Sequence, residues 1–479
     1  MPWCAVFEPG AITAFSFIVY RQFWEISREK RSLDRYRKRE LALRMKVVYL
    51  VAGAGGMYCG TCLRDNRLAA ALRRQGRDLV LIPLYTPIRT DEPDVSERAV
   101  SYGGINVYLQ HRWGLFRHLP KVLDRLLGAR ALLRIAGRFA ARTRPEQVGA
   151  LTVSVLRGGD GLQRRQLRQL IERVRSYRPT VVHLPNLMFV GIARELKEHL
   201  GAQVFCSLAG EDVFLDALQE PYRRQALTLI GEGAAHVDAF VAPTNYYASC
   251  ATGRFGLDPS RVHQVPLGVG VHDVGEAACP SDEPFTIGYL ARICPEKGLH
   301  VLVEAFARLV QTRKPARLRV AGYLSPQDRP YFEKAVASLK NQGLEQHFEY
   351  VGEVTRAQKL AFLRSLHLLS VPTVVQESKG LYVLEAMACG VPVVQPRHGS
   401  FPELIEATGG GLLYDTDRPD ALTEALARLM DDHALRESLA GQGRRSVHED
   451  FSDEVMARKT WELYERLAGS DRGDSPAPS

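Results

Sequence analysis

Val371-Pro372-Thr373-Val374-Val375-Gln376-Glu377-Ser378-Lys379-Gly380-Leu381-Tyr382-Val383-Leu384-Glu385-Ala386-Met387-Ala388-Cys389-Gly390-Val391-Pro392-Val393-Val394 decides the fold. The apolar run Leu368 to Val371 ends at a Pro/Thr break, and a polar loop carrying Glu377 comes next. Leu381 to Ala388 is a short helical pattern, stopped by Gly390 with Pro392 just beyond. A second apolar run then resumes. The order is strand, loop, helix, strand, so the helix starts at the carboxyl end of a strand. The first N–H groups of such a helix have no intrahelical partner, and its dipole favours negative charge there. Gly380 lacks a Cβ, so a phosphate can approach the amides of Gly380, Leu381 and Tyr382. A carboxylate accepts two hydroxyl donors at once, so Glu377 and Glu385 each suit a vicinal diol on ribose or hexose. Phosphate held between two such carboxylates describes a sugar nucleotide.

The bland alternative is chance, because two glutamates eight residues apart and a glycine before a helix are both common. The wider pattern argues against it. Glu377, Gly380, Leu381, Glu385, Ala386, Met387, Ala388, Gly390, Pro392 and Val393 all fit the E-x7-E signature of the retaining glycosyltransferases of family 4, which the chain resembles from Met45 to Leu467. The resemblance implies a GT-B fold: α/β, two doubly wound Rossmann-like domains facing a central cleft. Outward from the motif, Phe285–Leu290 reads as a strand, followed by Ala291-Arg292-Ile293-Cys294-Pro295-Glu296-Lys297-Gly298. Strand, basic loop and helix in that order resemble the family's donor-phosphate segment. Arg292 would give a bidentate fork and Lys297 a point charge beside the diphosphate.

The chain of 479 residues is long enough for two domains. The expected division is an extension over 1–44, an acceptor-side domain over 45–275 and a nucleotide-sugar domain over 284–450. A final helix over 451–467 would pack back on the first domain, and 468–479 would be a disordered tail. Residues 1–44 differ in character from the rest of the chain, and Met45 opens the first strand as a natural start would. Val47–Val51, a glycine-rich loop, the Thr61–Arg74 helix and Leu79–Leu84 form a βαβ opening. A dinucleotide fingerprint fails there, because its third glycine is replaced by Tyr58. By the resemblance, Gly55 and Gly56 would instead face the donor phosphates. Cys59-Gly60-Thr61-Cys62 lacks a second metal-spaced pair and is assigned to packing.

Further acceptor-side candidates are His183 and Asn186 after a strand, and Glu211 and Asp212 after another. Pro185 stands where family members often carry a second His. Asp212 has helix capping as its bland reading, as does Asp415-Thr416-Asp417, which superficially matches a metal motif. The net charge of +9 is concentrated: Arg112–Arg178 holds 16 Arg/Lys against 4 acids. That region reads either as solvated helices or as a face for an anionic membrane or acceptor. Eight scattered cysteines suit a reducing compartment, and no stretch reaches the length of a membrane span. Ala11–Tyr20 is too short for a span and lacks the preceding basic region of a signal peptide.

The expected function is retaining, metal-independent transfer of a hexose from a nucleotide-diphosphate sugar to a glycan, lipid or small polyol. The expected location is cytoplasmic, with Arg112–Arg178 as a candidate peripheral contact at the inner membrane face. No cofactor and no nucleic-acid partner are expected. Arg292, Lys297 and Glu377 are the catalytic candidates, and Gly55, Gly56, Gly380, Leu381 and Glu385 the donor-binding ones. The alternatives are a glycan phosphorylase on the same fold, with pyridoxal phosphate on a lysine, and a non-catalytic sugar-nucleotide-binding protein.

Overall fold

The computed structural model describes residues 45–53, 59–100, 145–278, 280, 283–312 and 315–470. The extension over 1–44, Gly55 and Gly56, and residues 112–144 of the basic region therefore lie outside the described residues, as do 471–479. Two compact units divide the chain, and Lys46–Trp461 holds both sheets. The other unit groups Met1–Met45 with Glu462–Ser479; its described part is Met45 and the helical stretch from Glu462 to Ser470.

Within Lys46–Trp461 the first sheet is built from β1 (Val47–Val51), β2 (Leu79–Pro83), β3 (Val181–Leu184), β4 (Gln203–Ser207), β5 (Ala239–Ala242) and β6 (Val262–Gln264). Its order is β2-β1-β3-β4-β5-β6, all parallel. The second sheet has β7 (Phe285–Leu290), β8 (Ala316–Ala321), β9 (Phe348–Gly352), β10 (Leu368–Leu369), β11 (Val393–Pro396) and β12 (Gly411–Tyr414). Its order is β12-β11-β10-β7-β8-β9, again parallel. Parallel strands need helical crossovers that cover both faces, so central strands must be apolar throughout. β1 and β7 obey this: every residue of each is buried. Each half has its own apolar core, one around Leu50, Val182 and Phe240 and the other around Ile287, Phe306 and Val394.

Local sequence sets the ends of the helices. Thr244 caps the helix Asn245–Phe255 by accepting from the Tyr247 amide at 3.1 Å. Thr355 and Gln358 form a capping box on the helix Arg356–Arg364. The helix Leu381–Ala388 begins and ends where its pattern places it.

Two expectations are corrected. Asp415 does not cap the next helix: its carboxylate accepts from Arg397 at 2.7 Å, and the helix Ala421–Asp431 has Asp420 at its N-cap. The last helix spans Asp453–Ser470, so residues 468–470, assigned above to a disordered tail, continue it. Gly469 alone weakens a helix without stopping it, and the first proline comes only at Pro476. Near the start of this helix, Asp453 and Glu454 pair with Arg74, and Trp461 lies under the Arg77 guanidinium at 5.0 Å.

Candidate active site

The order of the second sheet explains why residues far apart in sequence meet. β7 and β10 are neighbours, and the strand order runs in opposite directions away from them. Ligands in open α/β sheets bind at the carboxyl ends of strands at such a switch point. The loop after β7 carries Arg292 and Lys297, and the loop after β10 carries Glu377. A cavity of about 450 Å³ lies there, a size suited to a small-molecule ligand. Arg292, Lys297, Glu377, Gly380, Leu381 and Glu385 all line it, and Cys59, Gly60, Leu63 and Asp91 contribute from the first half.

Glu377 is buried, and its Oε2 receives Lys297 Nζ at 2.5 Å and the Tyr382 hydroxyl at 3.2 Å. Its Oε1 accepts from the Lys379 amide at 3.2 Å. Burial alone would raise this carboxyl, but the charge and hydrogen bond of Lys297 hold it at about 2. Lys297 also lies 5.4 Å from the centre of the Tyr382 ring. The result is an ionised carboxylate and an ammonium fixed at a cavity wall. Arg292 is exposed at the same cavity.

Glu385 sits in a cage of cations. Lys359 Nζ is 2.7 Å away, Arg67 Nη2 3.2 Å and Arg356 Nη1 3.9 Å. Burial raises its carboxyl, and Lys359, Arg67 and Arg356 together bring it to about 2. Arg67 comes from the Gly60–Arg74 helix of the first half, where it is 1 % exposed and also holds Glu92 at 2.6 Å. Lys359 likewise takes Asp91 at 2.5 Å. Asn66 fixes the segment carrying Asp91 and Glu92, donating to the Pro93 carbonyl and accepting from the Val95 amide, each at 3.0 Å.

Both glutamates fall from an ordinary 4.5 to about 2 on folding. A depressed carboxyl stabilises the fold above its unfolded pKa, and that contribution disappears as pH falls through the folded value. Each is worth about 3 kcal/mol near neutrality. We therefore expect the part of the stability that these two carboxyls supply to be constant above pH 4.5 and to fall steeply from there toward 2. Urea midpoints across that range check this. The Glu377→Gln variant should show a shallower loss.

Gly380 is the N-cap of the Leu381–Ala388 helix at φ +66°. A Cβ there would lie 2.7 Å from Leu404 Cδ1 and 3.6 Å from Phe401 Cε1. Packing against the Phe401–Thr408 helix and the left-handed backbone thus require the glycine, a different reason from the phosphate approach inferred above. Gly380→Ala should cost about 2–4 kcal/mol, from the left-handed strain plus overpacking. Equal urea stability of variant and parent would refute this.

The halves are tied at other points. Lys379 Nζ donates to Thr61 Oγ1 at 2.7 Å, and a Cβ on Gly210 would meet Ser378 Oγ at 2.5 Å. Glu403 accepts from the amides of Asn245 and Tyr246, each at 2.9 Å, from Asn245 Nδ2 at 3.2 Å and from Gln264 Nε2 at 3.0 Å. Its carboxylate therefore caps a helix of the opposite half.

The acceptor-side candidates are not among the residues lining this cavity. His183 is buried in β3, stacked on Tyr49 at 4.4 Å and bonded through Nε2 to Ser207 Oγ at 2.9 Å. Burial and the nearby Arg64 push its pKa well down, so the ring is neutral. Asn186 caps the Leu187–Ile192 turn by accepting from the Met188 amide. Glu211 is buried, accepting from the amides of Leu187 and Ala209 and from the Tyr247 hydroxyl. Asp212 opens the short helix Asp212–Asp216 without capping it, and also accepts from Tyr247. In the basic region, the helix Arg164–Ser176 buries Leu167, Leu170, Ile171 and Val174 and exposes Arg164, Arg168 and Arg175.

Sequence reasoning missed Arg67, Asp91, Lys359, Lys379 and the side chain of Tyr382, whose amide alone it named. The consecutive residues Arg64, Asp65, Asn66 and Arg67 are all buried, the last three at no more than 1 % exposure. Four polar residues in a row within a short helix were the available signal.

Two parallel sheets with a ligand-sized crevice at their strand ends define the GT-B architecture of glycosyltransferases. Solved structures agree on the fold. Sucrose-phosphate synthase from Thermosynechococcus elongatus superposes with a TM-score of 0.64 at 16% identity, covering 89% of this chain and 100% of that one. The Anabaena protein Alr3699/HepE, in complex with UDP and glucose, gives 0.61 at 16%, covering 88% and 100%. Family models match in two blocks: a glycosyl transferase 4-like domain over residues 64–268 and glycosyl transferases group 1 over 278–446. The chain belongs to the group 1 glycosyltransferases. Among its relatives, the D-inositol 3-phosphate glycosyltransferase of Segniliparus rotundus is 27% identical over 339 residues, 65% of this chain and 69% of that one. A GDP-mannose-dependent phosphatidylinositol monomannoside mannosyltransferase of Corynebacterium glutamicum is 26% identical over 293 residues, 57% and 72%. Glycosyl transfer is thus the activity of the chain. Among the described residues, no helix is long and apolar enough to cross a membrane.

Proposed function

We propose that the chain transfers a hexose, with retention and without a metal, from a nucleotide-diphosphate sugar to a hydroxyl of a polyol or lipid. The observation that carries this is the convergence of Lys297 and Glu377, 2.5 Å apart, with Arg292, Leu381 and Glu385 around one cavity. Breaking the anomeric C–O bond builds negative charge on the departing diphosphate. Arg292, Lys297 and the amides opening the Leu381–Ala388 helix offer fixed positive charge and dipoles to that group. Glu377, held ionised, accepts hydrogen bonds from hexose hydroxyls, and Glu385 stands on the ribose side. In this reading His183, Asn186, Glu211 and Asp212 shape the acceptor side through the loops they hold, not by lining the cavity. Attack comes on the face the leaving group vacates, and a phosphate oxygen takes the acceptor proton. Closure over the cavity keeps out water, the competing acceptor.

The acceptor class is drawn from the relatives, whose names specify inositol phosphate and phosphatidylinositol mannoside. The exposed arginines of the Arg164–Ser176 helix would meet an anionic surface when the acceptor is a lipid. The test is incubation with UDP-, GDP- and ADP-hexoses, with inositol or phosphatidylinositol vesicles as acceptor and a chelator present. An α-linked product from an α-donor is expected. An inverted product, or loss of transfer on chelation, would refute the reading. A donor at about 100 times its Kd should add about 2.7 kcal/mol of stability, so a thermal screen selects it first.

A further inference from the structure

Cys59-Gly60-Thr61-Cys62 opens the helix Gly60–Arg74, and the Leu63 amide closes its first turn on the Cys59 carbonyl at 3.0 Å. That turn sets the two Cα atoms about 5 Å apart. Disulfides span Cα separations of about 4.4–6.8 Å, so the pair can bridge without moving the helix. The two thiols are near enough for each to shift the titration of the other. Cys59 is half-buried and lines the cavity, while Cys62 is buried behind it. Lys379 holds its ammonium on the hydroxyl of Thr61, within the same turn.

The electrostatics divide the labour between them. The hydrogen bond from Cys62 lowers the Cys59 thiol, burial opposes this, and the Lys379 charge adds to the lowering, leaving it well below its ordinary 9.0. Cys62 is pushed up by its bond to Cys59 and by burial. The thiols of Cys206, Cys250, Cys294 and Cys389 are all raised by burial. A cysteine pair with one solvent-reached, low-pKa member at a helix start is the arrangement that attacks disulfides.

We propose that Cys59 and Cys62 are a modification site, a dithiol that small disulfides such as oxidised glutathione convert reversibly into an intrachain disulfide in the cavity wall. The Cys59 thiolate attacks one glutathione sulfur, forming a mixed disulfide and releasing one glutathione thiolate. Cys59 then carries no charge, which removes the main cause holding the proton on Cys62. Cys62 gives up that proton and attacks Cys59 sulfur, and the second glutathione thiolate leaves. Two protein thiols are oxidised and one glutathione disulfide is reduced. The bridge removes the thiolate that faces Lys379 and locks the turn that presents Gly60 to the cavity. Donor affinity falls as a result. This last consequence rests on the donor reading above; the disulfide itself does not.

The experiment treats the full chain with graded ratios of oxidised to reduced glutathione, alkylates the free thiols and maps them by mass spectrometry. A Cys59–Cys62 disulfide reversed by dithiothreitol is expected, with Cys206, Cys294 and Cys389 still alkylated after unfolding. Cys62→Ser should stop at the glutathione adduct on Cys59. Full alkylation of both Cys59 and Cys62 at the most oxidising ratio would overturn the proposal, as would pairing of either with another cysteine. Nucleotide-sugar affinity is then measured on both forms. A severalfold weaker Kd in the oxidised form supports the consequence for donor binding, and equal Kd values overturn it. If neither form binds any nucleotide sugar, the donor reading fails while the mapped disulfide stands.

Discussion

Glu377→Gln is expected to lower kcat by about 10²–10³-fold, the cost of removing one preorganised electrostatic partner from a transition state. The substitution keeps the volume of the side chain, so the cavity retains its shape. It replaces a carboxylate that accepts from Lys297, Tyr382 and the Lys379 amide with an amide group that has one acceptor oxygen. Lys297 then faces a neutral group across a largely buried contact. The loss acts in two ways. Hexose hydroxyls lose a charged acceptor, and the ammonium is no longer balanced before the donor arrives. The second effect should tighten binding of the free nucleoside diphosphate while transfer fails. Steady-state rates and a binding isotherm for the diphosphate separate the two. A variant with parental kcat would remove Glu377 from the reaction.

Arg67→Met should cost about 3 kcal/mol of stability, because it takes one of three cations from the buried Glu385 and the guanidinium from Glu92. Arg67 is 1 % exposed and holds Glu92 and Glu385 simultaneously. Its removal leaves Glu385 with Lys359 and Arg356, and takes from Glu92 the guanidinium that donates to it. Because Glu385 belongs to the second half and Arg67 to the first, the loss falls on their association as well as on the fold. Urea unfolding gives the stability, and proteolysis reports the separation of the halves. Arg67→Lys should recover only part of the loss, since an ammonium lacks the rigid planar fork that sets two donors on Glu92 while reaching Glu385. A cost below about 1 kcal/mol would show that the cage is a surface-like pair.

The second half was legible because its signals are local. A strand that ends in a Pro/Thr break, a helix whose eight residues are bounded by Gly380 and Gly390, and apolar runs at regular intervals all act within a few residues. β7 and Leu381–Ala388 result directly from them. The cage around Glu385 was not legible, because Arg67 and Glu385 are more than three hundred residues apart and only the closing of two sheets joins them. Helical periodicity misled at the same place: it assigns polar residues to solvent, whereas Arg64 to Arg67 point into the interior. Gly380 shows a subtler gap. Its presence was readable, but the reason for it lies in Leu404, a contact the sequence does not announce.

The single carboxylate of Glu403 ties down four donors from the opposite half. Any separation of the halves has to break all four bonds at that one group. Because the contact is at the surface, water can take each donor as its bond breaks, so the carboxylate aligns the two halves without locking them.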